Sequence, residues 1–140
     1  MRFLPEEGAR YTAVKGDVLV CEGGYPGRAA IWEKDDPIYF QKALHRVRFH
    51  EPSQNKWFVY YLQFKDLDGT LRQHFNGAGI QHFTGEALSQ FELPLPPLHE
   101  QERIVGILDE LRDETQHQQK LAAVDALKTS LLHEAFTGRL

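Results

Sequence analysis

Short stretches in which apolar and polar positions alternate occupy the first half of the chain, a pattern typical of β-strands. The apolar run at residues 18–20 predicts a buried strand, and the glycines and proline of GGYPGR at 23–28 predict a tight reversal after it. Residues 29–32 would form the returning strand. From residue 39 to residue 49, a period of two predicts one further strand with a basic face.

The pattern changes to helical spacing after residue 53. Ser53 or Asn55 can cap the start of a helix, and Gly69 can end it. The aromatic and apolar side chains at helical spacing are expected to pack in the core rather than to stack on nucleobases. They are Trp57, Tyr60, Tyr61, Phe64 and Leu67.

Shorter elements are predicted before the final third of the chain. One turn of helix is expected at 71–75, and another is expected after Thr84. A short strand carrying Phe91 and Leu93 would then lead into a proline-rich corner at 94–97. The first part of the chain is thus predicted to mix α and β structure with mostly local pairing.

The final third predicts one long helix. Residues 97–136 contain no proline after the first position and no glycine except Gly106. A helix of about 40 residues spans roughly 60 Å, so part of it must project or find a partner. Two apolar blocks are separated by the polar run RDETQHQQK at 112–120.

Antiparallel pairing of two such helices would place each apolar block against the other block of the partner. A two-fold axis near residues 117–118 achieves this, and the polar centre would fix the register. The alternative is that the helix folds back on its own domain. The expected interface residues are Ile104, Ile107, Leu108, Leu111, Glu114, Gln118, Lys120, Leu121, Val124, Leu127 and Leu131.

Composition narrows the class of protein. With 140 residues, 41% of them hydrophobic, the chain suits one modest folded domain, and no apolar run reaches membrane-spanning length. The net charge of −4 argues mildly against DNA binding, although the first 50 residues hold eight Lys or Arg against seven Asp or Glu. This balance is a weak indication of a local basic surface. The lone Cys21 excludes an internal disulfide and fits a reducing cytoplasm.

Several motifs agree in order and spacing with one known family. They are GDVLVCEGGYPGRAAIW at 16–32, FQKALHRVRF at 40–49, LPLPPLHEQERIVGILDE at 93–110 and LHEAFTGRL at 132–140. The chain resembles the specificity subunit of Type I restriction–modification systems, in which each target recognition domain is followed by a long spacer helix. That family normally has more chain before the GDVLV-like strand, so we expect one recognition domain shortened at its start.

The resemblance implies an α+β fold. A small mixed α/β target recognition domain would occupy 1–96, and a spacer and dimerisation helix forming an antiparallel coiled coil would occupy 97–140. It also implies a noncatalytic half-subunit that directs methyltransferase and restriction subunits to a bipartite site on double-stranded DNA in the cytoplasm. No cofactor is expected on this chain, because S-adenosylmethionine would be bound by the methyltransferase subunit.

Two alternatives to this function stay open at the level of the sequence. The chain could be an assembly or interference module that pairs with intact subunits and does not bind DNA. It could also be the C-terminal part of a fused restriction–methylation enzyme.

Polar and basic side chains supply the candidate DNA-binding residues. GGYPGR could present Arg28 and backbone N–H groups to a phosphate, or it could be a plain hairpin turn. Arginine can grip guanine or phosphate and glutamine can read adenine, whereas the alternative is a solvated surface with paired charges. The candidates are Lys15, Tyr25, Arg28, Gln41, Lys42, Arg46, Arg48, Arg72, Gln73, His74, Asn76, Gln81 and His82.

Catalytic and metal sites have no signature in this sequence. The seven histidines are scattered, and no HExxH or Cys–His ligand spacing occurs. Cys21 sits in an apolar strand and is expected to be a buried structural thiol rather than a nucleophile.

Overall fold

The computed structural model describes residues 10–136, and the side chains of residues 10–133. The chain divides into two compact units, Met1–Glu102 and Arg103–Leu140. The first unit holds the strands and the shorter helices, and the long helix begins in its last residues.

The strands of the first unit are short and pair in two sheets. They are β1 (Thr12–Ala13), β2 (Val18–Cys21), β3 (Ala29–Ile31), β4 (Ile38–Tyr39) and β5 (Leu44–Val47). The larger sheet has the antiparallel order β3-β2-β5, and β1 pairs with β4 in a separate antiparallel sheet. The central position of β2 explains why its side chains at 18 and 20 are fully buried.

The predicted hairpin around GGYPGR is confirmed. Strands β2 and β3 pair with Val18 opposite Ile31, and the loop between them turns through Gly24 and Gly27, whose φ values are +74° and +83°. Gly27 is packed so closely that a Cβ would lie 2.6 Å from Leu71 Cδ2. Only glycine combines this backbone conformation with this approach.

The single strand predicted over residues 39–49 is wrong in one respect, because the structure contains two strands there. Strand β4 pairs with β1 and strand β5 pairs with β2, so consecutive stretches of chain belong to different sheets. Residues 40–43 lie between them, and a turn bond from the Leu44 N–H to the Gln41 carbonyl closes the break. An alternation of apolar and polar residues along the sequence cannot show that neighbouring stretches pair with different strands.

Helix α1 (Gln54–Leu67) buries a different face from the one that the sequence pattern predicts. Phe58 and Leu62, four residues apart, are its buried side chains. The predicted core residues Phe64 and Leu67 are 59% and 88% exposed, so that prediction is wrong. Aromatic and apolar side chains occur on several faces of this helix, so the periodicity of the sequence does not identify the buried face. Packing of the helix against β3 determines which face is buried.

The other predicted core residues of α1 are half-buried. Trp57 donates its indole N–H to the Pro94 carbonyl oxygen at 2.8 Å, and Tyr61 packs edge-on against Phe91. Tyr60 is also half-buried. These contacts tie α1 to the extended segment that precedes the long helix.

The predicted short turns are confirmed, but the predicted strand at Phe91 and Leu93 is not. A 3₁₀ helix spans Thr70–His74, and α2 spans Gly85–Ser89, with the Thr84 hydroxyl accepting a bond from the Ala87 N–H. Residues 91–97 form no strand, although Phe91 and Leu93 pack against the core. The apolar side chains at 91 and 93 therefore reflect packing of an extended segment against the core, not membership of a sheet.

The core of the first unit lies between the three-stranded sheet and the helices. Its buried members come from β2, α1, the 3₁₀ helix and the segment before α2. Phe83 is fully buried and its ring lies near those of Phe75 and Phe91. Among the described residues, the buried members of this cluster are Val18, Val20, Phe58, Leu62, Leu71 and Phe83.

Helix α3 (Leu98–Phe136) is a single helix of 39 residues. Its first residues follow the predicted proline corner, and the Glu100 N–H bonds to the Pro97 carbonyl. At about 1.5 Å per residue it spans roughly 58 Å, as predicted. The predicted coiled-coil pairing is taken up under the proposed function.

Candidate nucleic-acid interface

The structure brings five of the predicted DNA-binding residues together around the β2–β3 hairpin, and we call them the loop cluster. Tyr25 and Arg72 line one cavity with Gln81, and Arg28 shares a neighbouring cavity with Tyr25. These residues come from three separate stretches of sequence, which meet because the hairpin packs on the 3₁₀ helix. The loop cluster consists of Tyr25, Arg28, Arg72, Gln81 and His82.

A hydrogen bond to helix α1 fixes the tip of the hairpin. The Tyr25 hydroxyl donates to the Asp66 carboxylate at 2.7 Å. This bond, together with the negative charge of Asp66, raises the pKa of the Tyr25 hydroxyl above its usual value. Arg72 and Arg28 both lie close enough to this hydroxyl to oppose that shift, so two cations lie near the tip of the hairpin. Sequence reasoning did not identify Asp66.

Short bonds also order the loop that carries Gln81 and His82. Asn76 and His82 pair through two backbone hydrogen bonds of 2.8 Å. The Gln81 side-chain amide donates to the Gly77 carbonyl at 2.6 Å. The His82 ring lies against the hairpin, where a Cβ on Gly23 would be 3.1 Å from its Nδ1. The loop is therefore held in one conformation by its own backbone.

The remaining basic candidates gather around β1 and β5 and are engaged in intramolecular contacts. Arg46 donates to the Thr12 carbonyl at 2.7 Å, and Lys15 pairs with Asp35 at 3.2 Å. The Lys42 ammonium lies over the Tyr11 ring, 5.6 Å from its centroid. Gln41 is exposed between β4 and β5.

Arg48 is the most firmly held of these cations. Its guanidinium donates two hydrogen bonds of 2.7 Å to the carboxylate of Asp17, whose side chain is only 2% exposed. The Val14 N–H donates a third bond to the same carboxylate at 2.8 Å. Such a bidentate pair orients Arg48 and joins β5 to the turn before β2. The structure thus gives Arg48 a packing role, and its role in DNA binding stays a prediction.

The predicted residues Gln73, His74 and Asn76 line a separate polar cavity of about 380 Å³. Asn76 donates from its side-chain amide to the Thr84 hydroxyl at 3.2 Å, and the His74 ring packs edge-on against Phe91. Helix α2 closes the other side of the cavity. The residues on this side were missed by sequence reasoning, because only the fold brings them close to the predicted residues. They are Thr84, Glu86, Ala87 and Gln90.

Most of the predicted interface residues on α3 expose their side chains. Leu111, Leu121 and Leu131 are 54%, 53% and 50% exposed, and Val124 and Leu127 are each 62% exposed. Ile107 is 47% exposed, whereas Ile104 and Leu108 are half-buried, and the polar members Glu114, Gln118 and Lys120 are exposed. Apolar side chains exposed in a row along one helix are typical of an interaction site.

The exposed apolar residues of α3 fall on two stripes. Ile104, Ile107, Leu111, Glu114, Gln118 and Leu121 follow a strict 3-4 spacing, which is the repeat of a coiled-coil seam. Val124, Leu127 and Leu131 follow a second stripe. At about 100° per residue, this second stripe lies roughly 100° around the helix from the continuation of the seam.

No metal-binding cluster of His, Cys, Asp or Glu occurs among the residues that the structure describes. Cys21 lies on β2 and is half-buried rather than fully buried. Within residues 10–136, no helix combines the length and apolarity that crossing a bilayer requires.

Comparison with protein families gives a match over most of the chain. Residues 3–126 match the family described as the Type I restriction modification DNA specificity domain. A Haemophilus influenzae protein named as a candidate Type I restriction enzyme specificity subunit is 28% identical over 107 residues. That match covers 68% of this chain but 24% of the relative, so the chain spans about a quarter of its length.

A solved structure shares the fold. It concerns the complex assembly and conformational transition of the Type I R-M system, and one of its chains superposes with a TM-score of 0.73 at 23% sequence identity. The match covers 89% of this chain and 30% of that one. The fold, a small sheet-containing domain followed in sequence by a long helix, is therefore a known one.

Proposed function

Because the chain belongs to the Type I restriction modification DNA specificity domain family, we propose that it is a noncatalytic DNA-recognition half-subunit. Family membership confirms the resemblance drawn from the sequence motifs. In the proposed function, the first unit binds one half of a bipartite site on double-stranded DNA in the cytoplasm. Methyltransferase and restriction subunits supply the catalysis, and S-adenosylmethionine is bound by the methyltransferase subunit.

The observation that carries DNA binding is the loop cluster. Arg28 and Arg72 come from different elements yet flank the same hairpin tip, which Tyr25 anchors to Asp66. One exposed guanidinium on the hairpin loop and one on the 3₁₀ helix suit contacts with phosphate oxygens, which position a protein on the duplex. The net charge of −4 does not prevent such contacts. Binding to the phosphates of the DNA backbone depends on the cations that touch them, and a local pair of cations is present here.

Fluorescence anisotropy with a labelled random-sequence duplex tests this part of the proposal. We expect binding that weakens steeply between 50 and 200 mM salt, as counterion release requires. Arg28→Ala and Arg72→Ala should each weaken binding to all sequences and reduce the magnitude of the salt slope by about one. Arg112→Ala is the matched control, because that arginine lies on α3 beside Asp109 and Asp113. If the wild-type chain does not bind the duplex at 50 mM salt, the proposal is contradicted.

The long helix is proposed to join two copies of the chain antiparallel. The seam from Ile104 to Leu121 has the spacing of a coiled coil, and its polar members Glu114 and Gln118 lie near the proposed two-fold axis. Six apolar side chains of the two stripes are 47–62% exposed, so burying the exposed half of each contributes about 0.8–1.5 kcal/mol. Because a two-fold axis counts each position twice, the sum is comparable with the association cost of about 4–15 kcal/mol. Two recognition units would then be held at a separation set by the helices.

The second stripe is proposed to complete the same interface. With a two-fold axis near residues 117–118, Val124, Leu127 and Leu131 lie opposite the first apolar block of the partner helix. Their exposures of 62%, 62% and 50% leave them available to a second copy of the chain. Each apolar block is thus proposed to cover the other.

Two leucine-to-glutamate variants test the antiparallel pairing, one in each apolar block. Leu111 and Leu127 are 54% and 62% exposed, so a glutamate at either position should leave the first unit folded. Light scattering should give a dimer mass for the wild-type chain and a monomer mass for both Leu111→Glu and Leu127→Glu. A dimer that survives either substitution would overturn the proposed pairing.

A further inference from the structure

From the chemistry of the polar cavity between the 3₁₀ helix and α2, we infer that its three carboxamides read the base edge of an adenine. The carboxamides belong to Gln73, Asn76 and Gln90. This inference rests on the proposed function and deepens it, because it names the base that this part of the recognition unit selects.

The electrical character of the cavity favours a base edge over a phosphate. Among the described residues that line it, none is lysine or arginine, and Glu86 brings a carboxylate. A phosphate would be repelled here and would find its partners at Arg28 and Arg72 instead. The exposed edge of a base carries no net charge, so this cavity can accept it.

The donors and acceptors of the cavity narrow the choice of base. A carboxamide places an acceptor oxygen beside a donor N–H₂, which matches the N6–H₂ and N7 of adenine in the major groove. Guanine presents two acceptors there and is best met by arginine or lysine. The Glu86 carboxylate adds a further acceptor, which suits the N6–H₂ donor of adenine.

Hydrogen bonds hold one of the three carboxamides, that of Asn76, in place. The backbone of Asn76 is locked by its paired bonds to His82, and its side-chain amide donates to the Thr84 hydroxyl at 3.2 Å. That hydroxyl also caps α2 through the Ala87 N–H, so one atom fixes both walls. A volume of about 380 Å³ leaves room for the edge of one base between the walls.

Selection from a randomised duplex library, followed by sequencing, tests the inference with the full chain. The wild-type chain should enrich a motif that contains a fixed adenine. The combined variant Gln73→Ala, Asn76→Ala, Gln90→Ala should reduce the preference at that position by roughly five-fold to 150-fold. Its affinity for the unselected library and its salt slope should stay unchanged, because phosphate contacts are intact. Gln116→Ala, an exposed glutamine on α3, is the matched control.

A change of acceptor pattern gives a second, positive test. Gln73→Glu or Gln90→Glu removes a donor and leaves only acceptors, so the preference should move toward cytosine, whose N4–H₂ donates. Circular dichroism and thermal unfolding confirm that each variant is folded. A combined variant that selects the same motif as the wild-type chain overturns the inference and leaves the proposed function standing. A wild-type chain that retains no duplex at 50 mM salt overturns both.

Discussion

Removal of the Arg48 guanidinium should destabilise the first unit much more than removal of an ordinary surface charge. Arg48→Ala takes away two hydrogen bonds of 2.7 Å from the carboxylate of Asp17. That carboxylate is 2% exposed, so water cannot fully replace the lost donors, and the Val14 N–H alone remains. A buried acceptor left without its charged partner is costly.

The magnitude follows from the exposures of the two partners. A hydrogen bond to a charged group contributes about 1.5–3 kcal/mol, and breaking a fully buried ion pair costs about 3–5 kcal/mol. The Arg48 side chain is itself 52% exposed, which lowers the expected loss to about 2 kcal/mol. For a unit of this size, that loss lowers Tm by about 8–16 °C.

Urea and thermal unfolding followed by tryptophan fluorescence measure this loss. Trp32 and Trp57 both lie in the first unit, so their emission reports on that unit alone. Lys15→Ala is the matched control, because its pair with Asp35 is 65% and 91% exposed and should contribute under about 0.5 kcal/mol. Equal unfolding midpoints for the two variants would refute the assignment of a packing role to Arg48.

The same carboxylate makes a prediction about pH. Burial by itself raises the pKa of Asp17, but the bonds from Arg48 and the Val14 N–H outweigh it and hold the pKa below its ordinary value of 3.8. A carboxyl group whose pKa is lower in the folded than in the unfolded protein stabilises the fold at pH values above its unfolded-state pKa. This stabilisation is lost as the pH falls through its folded-state pKa. The stability difference between wild type and Asp17→Asn should therefore be constant near neutral pH and shrink below about pH 3.8. A difference that grows on acidification would show the opposite sign of shift.

Two further comparisons test the packing. Gly27→Ala should lower the free energy of unfolding, measured in urea, by about 1–3 kcal/mol, because its φ is +83° and a Cβ would lie 2.6 Å from Leu71. Gly24→Ala should lower it less, because Gly24 has a φ of +74° but open space around it. Phe58→Ala should cost about 3–5 kcal/mol, since the ring is 4% exposed, whereas Phe64→Ala at 59% exposure should cost far less. Comparable losses for Phe58 and Phe64 would mean that α1 buries the face predicted from its sequence.

Local signals in the sequence predicted much of the fold. The glycines of GGYPGR predict the β2–β3 hairpin because positive φ is a property of the residue itself. The prolines at 94–97 and the proline-free run after them predict the start and length of α3 for the same reason. The resemblance drawn from family motifs is confirmed by a match over residues 3–126, which contains the motifs at 16–32, 40–49 and 93–110. The motif at 132–140 lies outside that match, and its last four residues lie outside the described residues.

Many residues of the candidate site were predicted individually, but their grouping was not. Arg28 is separated from Arg72 and Gln81 by more than 40 residues, and no local signal links it to them or to Asp66. Likewise, Gln90 and Glu86 join Gln73 only because α2 folds back beside the 3₁₀ helix. Contacts of this kind depend on chain reversals whose directions are set by packing.

The sequence by itself determined where turns occur, where the long helix runs and which residue types are available to meet DNA, because these depend on backbone preferences and side-chain chemistry. Tertiary structure alone decided which face of α1 is buried, that residues 39–49 divide between two sheets, and that Arg48 binds Asp17. Burial and pairing are properties of two surfaces at once, and a single stretch of chain carries information about only one of them.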